Sequence, residues 1–366
     1  MTTAGRIRQR WAARLLPALL VVGAPLLALM VVEGGISLAL VGRDFAGALA
    51  ERDTVRTTQY DSLLGWVSRP NLFLRDFFGA GVHLRTNAWG LRGEGPVPSG
   101  PPAGRLRLVC SGDSYTHGLG VADTATWCAV LQQRDPRLET INLAETAYGL
   151  DQAYLRYRRD GTRLEPAFHV FAFIWDDFRR MRSARFLGFD KPRLVADGGT
   201  LRVANVPVPE LSSRLPRLAD WLYAGGVALA GLRSSRAVAW AKGAVESEPE
   251  VAGDDPLVEV VSLVFAELAR DGQKRAGLLV VHLPALRDDA TPEAAEWEVR
   301  MRRIAVTHRL DYLDLEPEFR KLTEAQRSEI FSPVHRHFSP AGHTWAASFI
   351  YAHLRGRIDS VAAGRH

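Results

Sequence analysis

The stretch LVCSGDSYTHGLG occupies residues 108–120. An apolar run stops there at a serine set between small and polar neighbours. The run RLRLVCS, residues 105–111, reads as a strand apolar on both faces, as a buried parallel sheet requires. GDSYTHG then becomes the turn from that strand into a helix, at the sheet's C-terminal edge. Such a turn exposes the hydroxyl of Ser114 and sets helix N–H groups beside it. Gly112 permits the tight bend, and Asp113 fits the N-cap. A serine alone is a weak nucleophile, so the reading requires a base, a group to orient it and oxyanion donors.

Working outward, strand-like runs recur at 140–145 (TINLAE), 169–175 (HVFAFIW), 276–283 (AGLLVVHL) and 310–316 (LDYLDLE). Helical patterns near 124–134, 150–160, 256–271, 294–308 and 340–356 lie between and after them. This alternation predicts a three-layer α/β/α sandwich around a parallel sheet, with a ligand beyond the strands' C-terminal ends. Residues 43–104 read as a stalk and lead-in segment, closed by the Pro/Gly cluster at 93–104, so the α/β domain is expected over 105–358. An insertion at about 180–255 interrupts it, with a hairpin around Gly198-Gly199 and a helical, partly apolar stretch at 215–245. It would pack over or beside the site, as a lid or against the membrane.

The far end supplies a base. His337 immediately precedes FSPAGH, where Ser339-Pro340 reads as an N-cap and first-turn proline. Ser114 and His337, both at loop exits, suit a hydrolytic pair.

Composition limits the alternatives. The chain has 366 residues, 47% hydrophobic and 24% charged, with a net charge of +5. Arg6, Arg8, Arg10 and Arg14 account for most of that excess, and no basic stripe interleaved with aromatics points to nucleic acid. After them, residues 15–32 carry no charge and are long enough for a bilayer. The arginines favour a cytoplasmic N-terminus, so residues 1–42 read as a cytoplasmic tip and single-pass transmembrane anchor, with the domain outside. A cleaved signal peptide or a buried helix is the alternative. The two cysteines, Cys110 and Cys128, exclude a disulfide framework and are expected as buried free thiols.

SGDSYTHG, AYGLDQAYLRY and HFSPAGH together resemble the SGNH/GDSL hydrolase family. LGW…RPN and TNAWGLRG ahead of them resemble its membrane-anchored bacterial branch. The resemblance covers about residues 60–180 and 330–350. It implies a flavodoxin-like fold and a serine esterase acting on acyl or acetyl esters of carbohydrate or lipid. By position it makes Ser114 nucleophile and oxyanion donor, Gly149 the second donor and His337 the general base. Asp113, the cap beside the nucleophile, is included in the site.

Two positions depart from the pattern. Asp176 stands where the family places an oxyanion-donating asparagine, and a carboxylate cannot donate; one lost donor costs about 2.7–4 kcal/mol. His335 and Val334 stand where an aspartate orients the base. A Ser–His dyad, or an acid borrowed from Asp177 or Glu329, is then needed.

Three functions remain in view: hydrolysis, acyl transfer to a sugar hydroxyl of an exported polysaccharide with a membrane acyl-transfer partner, or a non-catalytic assembly role. His335, His337 and His343 have an H-x-H…H spacing but no carboxylate or cysteine in the motif, so neither metal nor cofactor is expected. His117 either lines the pocket or faces solvent. Asn142 and Gln152 read as structural hydrogen-bonders. The basic run 179–193 reads as solvated charge, or as a contact for an anionic glycan or lipid headgroup.

Overall fold

The computed structural model describes residues 56–97, 100–210, 255–286 and 292–364, with positions 21, 23–25, 28 and 31. All but those last positions belong to one compact unit, Asp53–Arg214 with Asp254–His366. Two short antiparallel hairpins come first: β1 (Thr58–Asp61) with β2 (Gly65–Ser68), and β3 (Phe73–Leu74) with β4 (Leu84–Arg85). Next are β5 (Leu106–Ser111), α1 (Ser114–His117), α2 (Trp127–Arg134), β6 (Leu138–Asn142), α3 (Leu150–Arg159), β7 (Phe168–Phe173) and α4 (Trp175–Met181). Two more hairpins follow, β8 (Arg185–Phe186) with β9 (Phe189–Asp190) and β10 (Arg193–Asp197) with β11 (Thr200–Ala204). The chain closes through α5 (Pro256–Gly272), β12 (Gly277–His282), α6 (Pro292–His308), β13 (Tyr312–Asp314), α7 (Glu316–Arg320), α8 (Glu324–Ile330) and α9 (Pro340–Ala363).

Five of these strands form one parallel sheet in the order β13-β12-β7-β5-β6. This is the doubly wound, flavodoxin-like order. The strands alternate faces residue by residue. Val109, Phe171, Phe173, Leu278 and Val280 join a core with α3, α5 and α6. Leu108, Cys110, Val170, Ala172, Leu279 and Val281 join a second core with α2 and α9. Period-two alternation with apolar residues on both sides makes three layers. Each of the five sequence-predicted strands is present. The last shrinks to Tyr312–Asp314 because it is an edge strand paired with β12 over three residues only.

Some expectations change. The lead-in segment is not a stalk from residue 56 onward, because its side chains are built into the domain. Trp66 Nε1 donates to the Thr146 carbonyl at 3.0 Å, and the Tyr148 hydroxyl donates to the Trp66 carbonyl at 2.6 Å. Gln152 donates to the Leu64 carbonyl at 2.8 Å, and the Ser68 N–H donates to buried Glu145 at 2.6 Å. The cysteines are not free: Cys110 and Cys128 form a disulfide, with Cα atoms 6.2 Å apart. Sequence placed both in the core but could not show that α2 lies directly over β5 on the same face. The basic run 179–193 is only partly solvated, because Lys191 is fully buried on Asp151 at 2.5 Å. Its ammonium also donates to the carbonyls of Arg180 (3.2 Å) and Pro192 (3.1 Å).

The hairpin at Gly198-Gly199 is formed, both glycines having positive φ as the tight turn requires. The 215–245 stretch lies outside the described residues, as does nearly all of the 15–32 run read as an anchor. Among the described residues no helix is long and apolar enough to cross a membrane.

The disulfide closes a separation of 18 residues. Reducing it is expected to lower unfolding stability by about 2–4 kcal/mol, read from urea midpoints with and without reductant.

Candidate active site

The sheet order reverses between β5 and β7, and the helices after them leave to opposite faces. The crevice at this switch is where ligands bind in open α/β sheets. Ser114 opens α1 there, at the end of β5. Asp113 caps the helix, its Oδ1 accepting the Tyr115 N–H at 2.9 Å. Gly112 is needed for space: a Cβ there would stand 2.7 Å from the Ala172 carbonyl oxygen of neighbouring β7.

His337 reaches the same point from the loop between α8 and α9. Its Nε2 lies 2.8 Å from Ser114 Oγ across 223 residues of sequence. Its Nδ1 lies 2.7 Å from the backbone carbonyl of His335. A carbonyl only accepts, so Nδ1 carries the proton and Nε2 turns its lone pair to the serine hydroxyl. Asp113 Oδ2, 3.3 Å from Oγ, is the more distant alternative acceptor for the same single proton. Burial holds His337 below the ordinary histidine range, despite the opposing pull of the His335 carbonyl and of Asp113. The ring is therefore neutral near pH 7 and able to take a proton.

The structure places the other sequence candidates individually. The orienting group is not a carboxylate: neither Asp177 nor Glu329 bonds the His337 ring among the described contacts, and the carbonyl of His335 occupies that position. The His335 side chain turns away, its ring set edge-on to Phe78 at 5.8 Å. Asp176 pairs with Arg179 (2.7 Å) and Arg180 (2.9 Å), which hold it ionised and below the usual carboxylate range against the opposing effect of its burial. Asp177 is buried; its Oδ2 accepts the Ile174 N–H at 3.2 Å, and burial beside Asp113 pushes its carboxyl up. Gly149 is the N-cap of α3, with its N–H on Gln152 Oε1 at 3.3 Å.

Sequence reasoning missed Arg180. Its Nη1 donates to the Tyr148 carbonyl at 2.6 Å, to Asp177 at 2.9 Å and to Asp113 at 3.3 Å. One buried guanidinium from α4 thus ties the loops after β5 and β6 to the helix that follows β7. Because Tyr148 C=O and Gly149 N–H share one peptide plane, the bond also fixes the direction of that N–H. A signal was available: Asp176 and Asp177 precede Arg180 by four and three residues, the spacing of helical ion pairs.

The remaining polar candidates separate. Asn142 is structural, donating to the Thr116 carbonyl at 2.7 Å and accepting the Ala144 N–H at 3.1 Å. His343 accepts the Trp127 N–H at 3.1 Å, and burial pushes it down to about 3. His117 is buried, one turn beyond Ser114, and burial with Arg92 and Arg156 keeps it well below its ordinary value. It lines a cavity of about 40 Å³ with Phe78, Leu119 and Glu145. A larger groove of about 510 Å³ follows β3 and β4 past Phe73 and Arg85, and neither Ser114 nor His337 lines it.

No family model matches the chain, and no curated protein matches it. Solved structures do. The lipase/acylhydrolase from Enterococcus faecalis is 13% identical over 69% of this chain and 96% of its own, with a TM-score of 0.41. The acetyl xylan esterase AlAXEase is 13% identical over 68% of this chain and 98% of its own, with a TM-score of 0.39. A lipolytic G-D-S-L family protein from Veillonella parvula is 9% identical over 68% of this chain and 98% of its own, with a TM-score of 0.39. At such identities and scores the likeness does not decide an activity.

Replacing Arg180 by Met leaves its carboxylates uncompensated and is expected to cost about 3–5 kcal/mol at pH 7. In the wild type Asp176 is held below its ordinary pKa. Its contribution is therefore full above that value and lost as pH falls through the lowered one. The gap between wild type and Arg180→Met should narrow as pH falls below the ordinary aspartate value of 3.8, as urea unfolding at pH 7 and at about pH 2.5 would show.

Proposed function

We propose that this chain is an SGNH/GDSL-type serine esterase that removes acyl or acetyl groups from carbohydrate or lipid. The observation that carries the reading is the 2.8 Å contact between Ser114 Oγ and His337 Nε2 at the sheet's switch point. Ser114 Oγ attacks the ester carbonyl while its proton passes to Nε2. The tetrahedral oxyanion is received by the N–H groups of Ser114 and Gly149, the latter released from Gln152. The imidazolium is stabilised at Nδ1–H by the His335 carbonyl and through space by Asp113. Nε2–H then protonates the leaving alcohol, and the acyl group remains on Ser114. Water, deprotonated by the same nitrogen, attacks the acyl-serine; collapse frees the acid and restores the hydroxyl.

Asp176 opposes this chemistry little, because its carboxylate charge is paired with Arg179 and Arg180. It adds no donor either, so the site works with two backbone N–H groups. This slower machinery also suits the second reading, in which a sugar hydroxyl replaces water and a membrane partner supplies the acyl group. The close Ser–His contact supports an enzyme over a non-catalytic scaffold.

We place the domain on the extracytoplasmic side of the cytoplasmic membrane, held by the apolar run at 15–32. The four arginines before that run support the orientation. The Cys110–Cys128 disulfide supports an oxidising compartment.

Purified full-length protein should hydrolyse p-nitrophenyl acetate, with Ser114→Ala lowering kcat by about 10⁴-fold or more. Equal turnover by both proteins would remove Ser114 from the mechanism. Acetylation of an added oligosaccharide exceeding release of free acetate would favour transfer. The acid limb of kcat/KM reports the free base, so burial of His337 should set it below about 6.5, with activity persisting to lower pH than an unshifted histidine allows. A limb above that value would contradict the assignment.

A further inference from the structure

The segment Ser332–His337 is a closed loop. The Ser332 N–H donates to the His337 carbonyl at 2.8 Å, and the Arg336 N–H donates to the Ser332 carbonyl at 2.8 Å. Phe331 and Phe338 bridge just outside it. Inside it Arg336 has φ 57°, the left-handed region that residues with a Cβ avoid. That angle sets the peptide plane between His335 and Arg336 relative to His337. The plane is held at both ends. Its N–H points to Ser332, and its carbonyl points to His337 Nδ1 at 2.7 Å. With both bonds made, the peptide dipole is aimed along the imidazole, and each bond polarises the other.

Tyr115 adds a third hold from the nucleophile's own helix. Its hydroxyl donates to the Arg336 carbonyl at 3.3 Å. Its ring lies 4.6 Å from the His337 ring, and Phe338 packs edge-on behind it at 5.1 Å.

We infer that Arg336 acts through its backbone, with Tyr115, as the positioning residue of the base. The left-handed turn at Arg336 aims the carbonyl that fixes the His337 tautomer, in the place a carboxylate would hold. This rests on the Ser114–His337 reading above and assigns roles to two residues that do not react. The Arg336 guanidinium takes no part.

The test compares Arg336→Val with Arg336→Gly, which both remove the side chain. Valine resists positive φ and glycine accepts it. Arg336→Val should lower kcat by about 10²-fold with KM within about threefold, because a small displacement of a reacting group is this costly. Arg336→Gly should recover at least about tenfold of that loss, since it restores access to the required φ. Equal loss in both variants, or none in Arg336→Val, would overturn the inference.

A second measurement does not depend on how the variants fold. Nitrogen-15 NMR of the wild type should show His337 protonated at Nδ1 and bare at Nε2, and the opposite tautomer would also overturn it. Labelling of wild-type Ser114 by a fluorophosphonate keeps the two claims apart. Without labelling, the esterase reading itself fails. With labelling and no difference between valine and glycine, only the positioning role fails.

Discussion

The site depends on a buried guanidinium. Arg180 leaves α4 and enters the crevice between β5 and β7, where Asp113, Asp177 and the Tyr148 carbonyl converge on one nitrogen. A cation removed from water needs such partners, and partners drawn from the loops after β5 and β6 and from α4 itself tie those segments together. Asp113 is the cap that sets Ser114 at the start of its helix. Tyr148 belongs to the peptide that presents the Gly149 N–H. Ser114 and Gly149, to which we assign the roles of nucleophile and oxyanion donor, therefore share one support. Lys191 extends it, bonding both the Arg180 carbonyl and Asp151 in the first turn of α3.

His337, the base of the proposed mechanism, is held by different means. No carboxylate reaches the imidazole ring among the described contacts. A peptide carbonyl does, stiffened by a bond on its opposite face. A neutral acceptor fixes the tautomer as well as an aspartate would, but it offers less to an imidazolium. Asp113 makes up part of that difference from the serine side. The balance suits a histidine kept neutral by burial and charged only while a proton is in transit.

The lead-in segment changes the picture of the domain's size. Trp66 and Leu64 pack into the core of the α/β unit, and Phe78, from the loop between β3 and β4, lies against His335. Residues that precede the first strand of the sheet thus line the surroundings of His117 and His335. Turn-rich composition suggested a spacer, because local sequence reports chain stiffness and not the tertiary partner that buries an aromatic side chain.

Much of this was legible in the sequence because it is local. Runs apolar on both faces, spaced by helical periods, fix a parallel sheet whatever the side chains do later. GDSYTHG and HFSPAGH mark strand-to-helix and loop-to-helix turns whose caps are encoded within a few residues. Other features were not legible, because they join residues far apart in the chain or lie in the backbone. The Cys110–Cys128 bond needs α2 seated on β5. The Arg180 cluster needs Asp113 and the Tyr148 carbonyl brought to α4 from the loops after two other strands. The carbonyl that orients His337 has no side-chain signature at all. Sequence determined which residues could meet at the sheet's edge, and only the packing of three layers decided which atoms they present to one another.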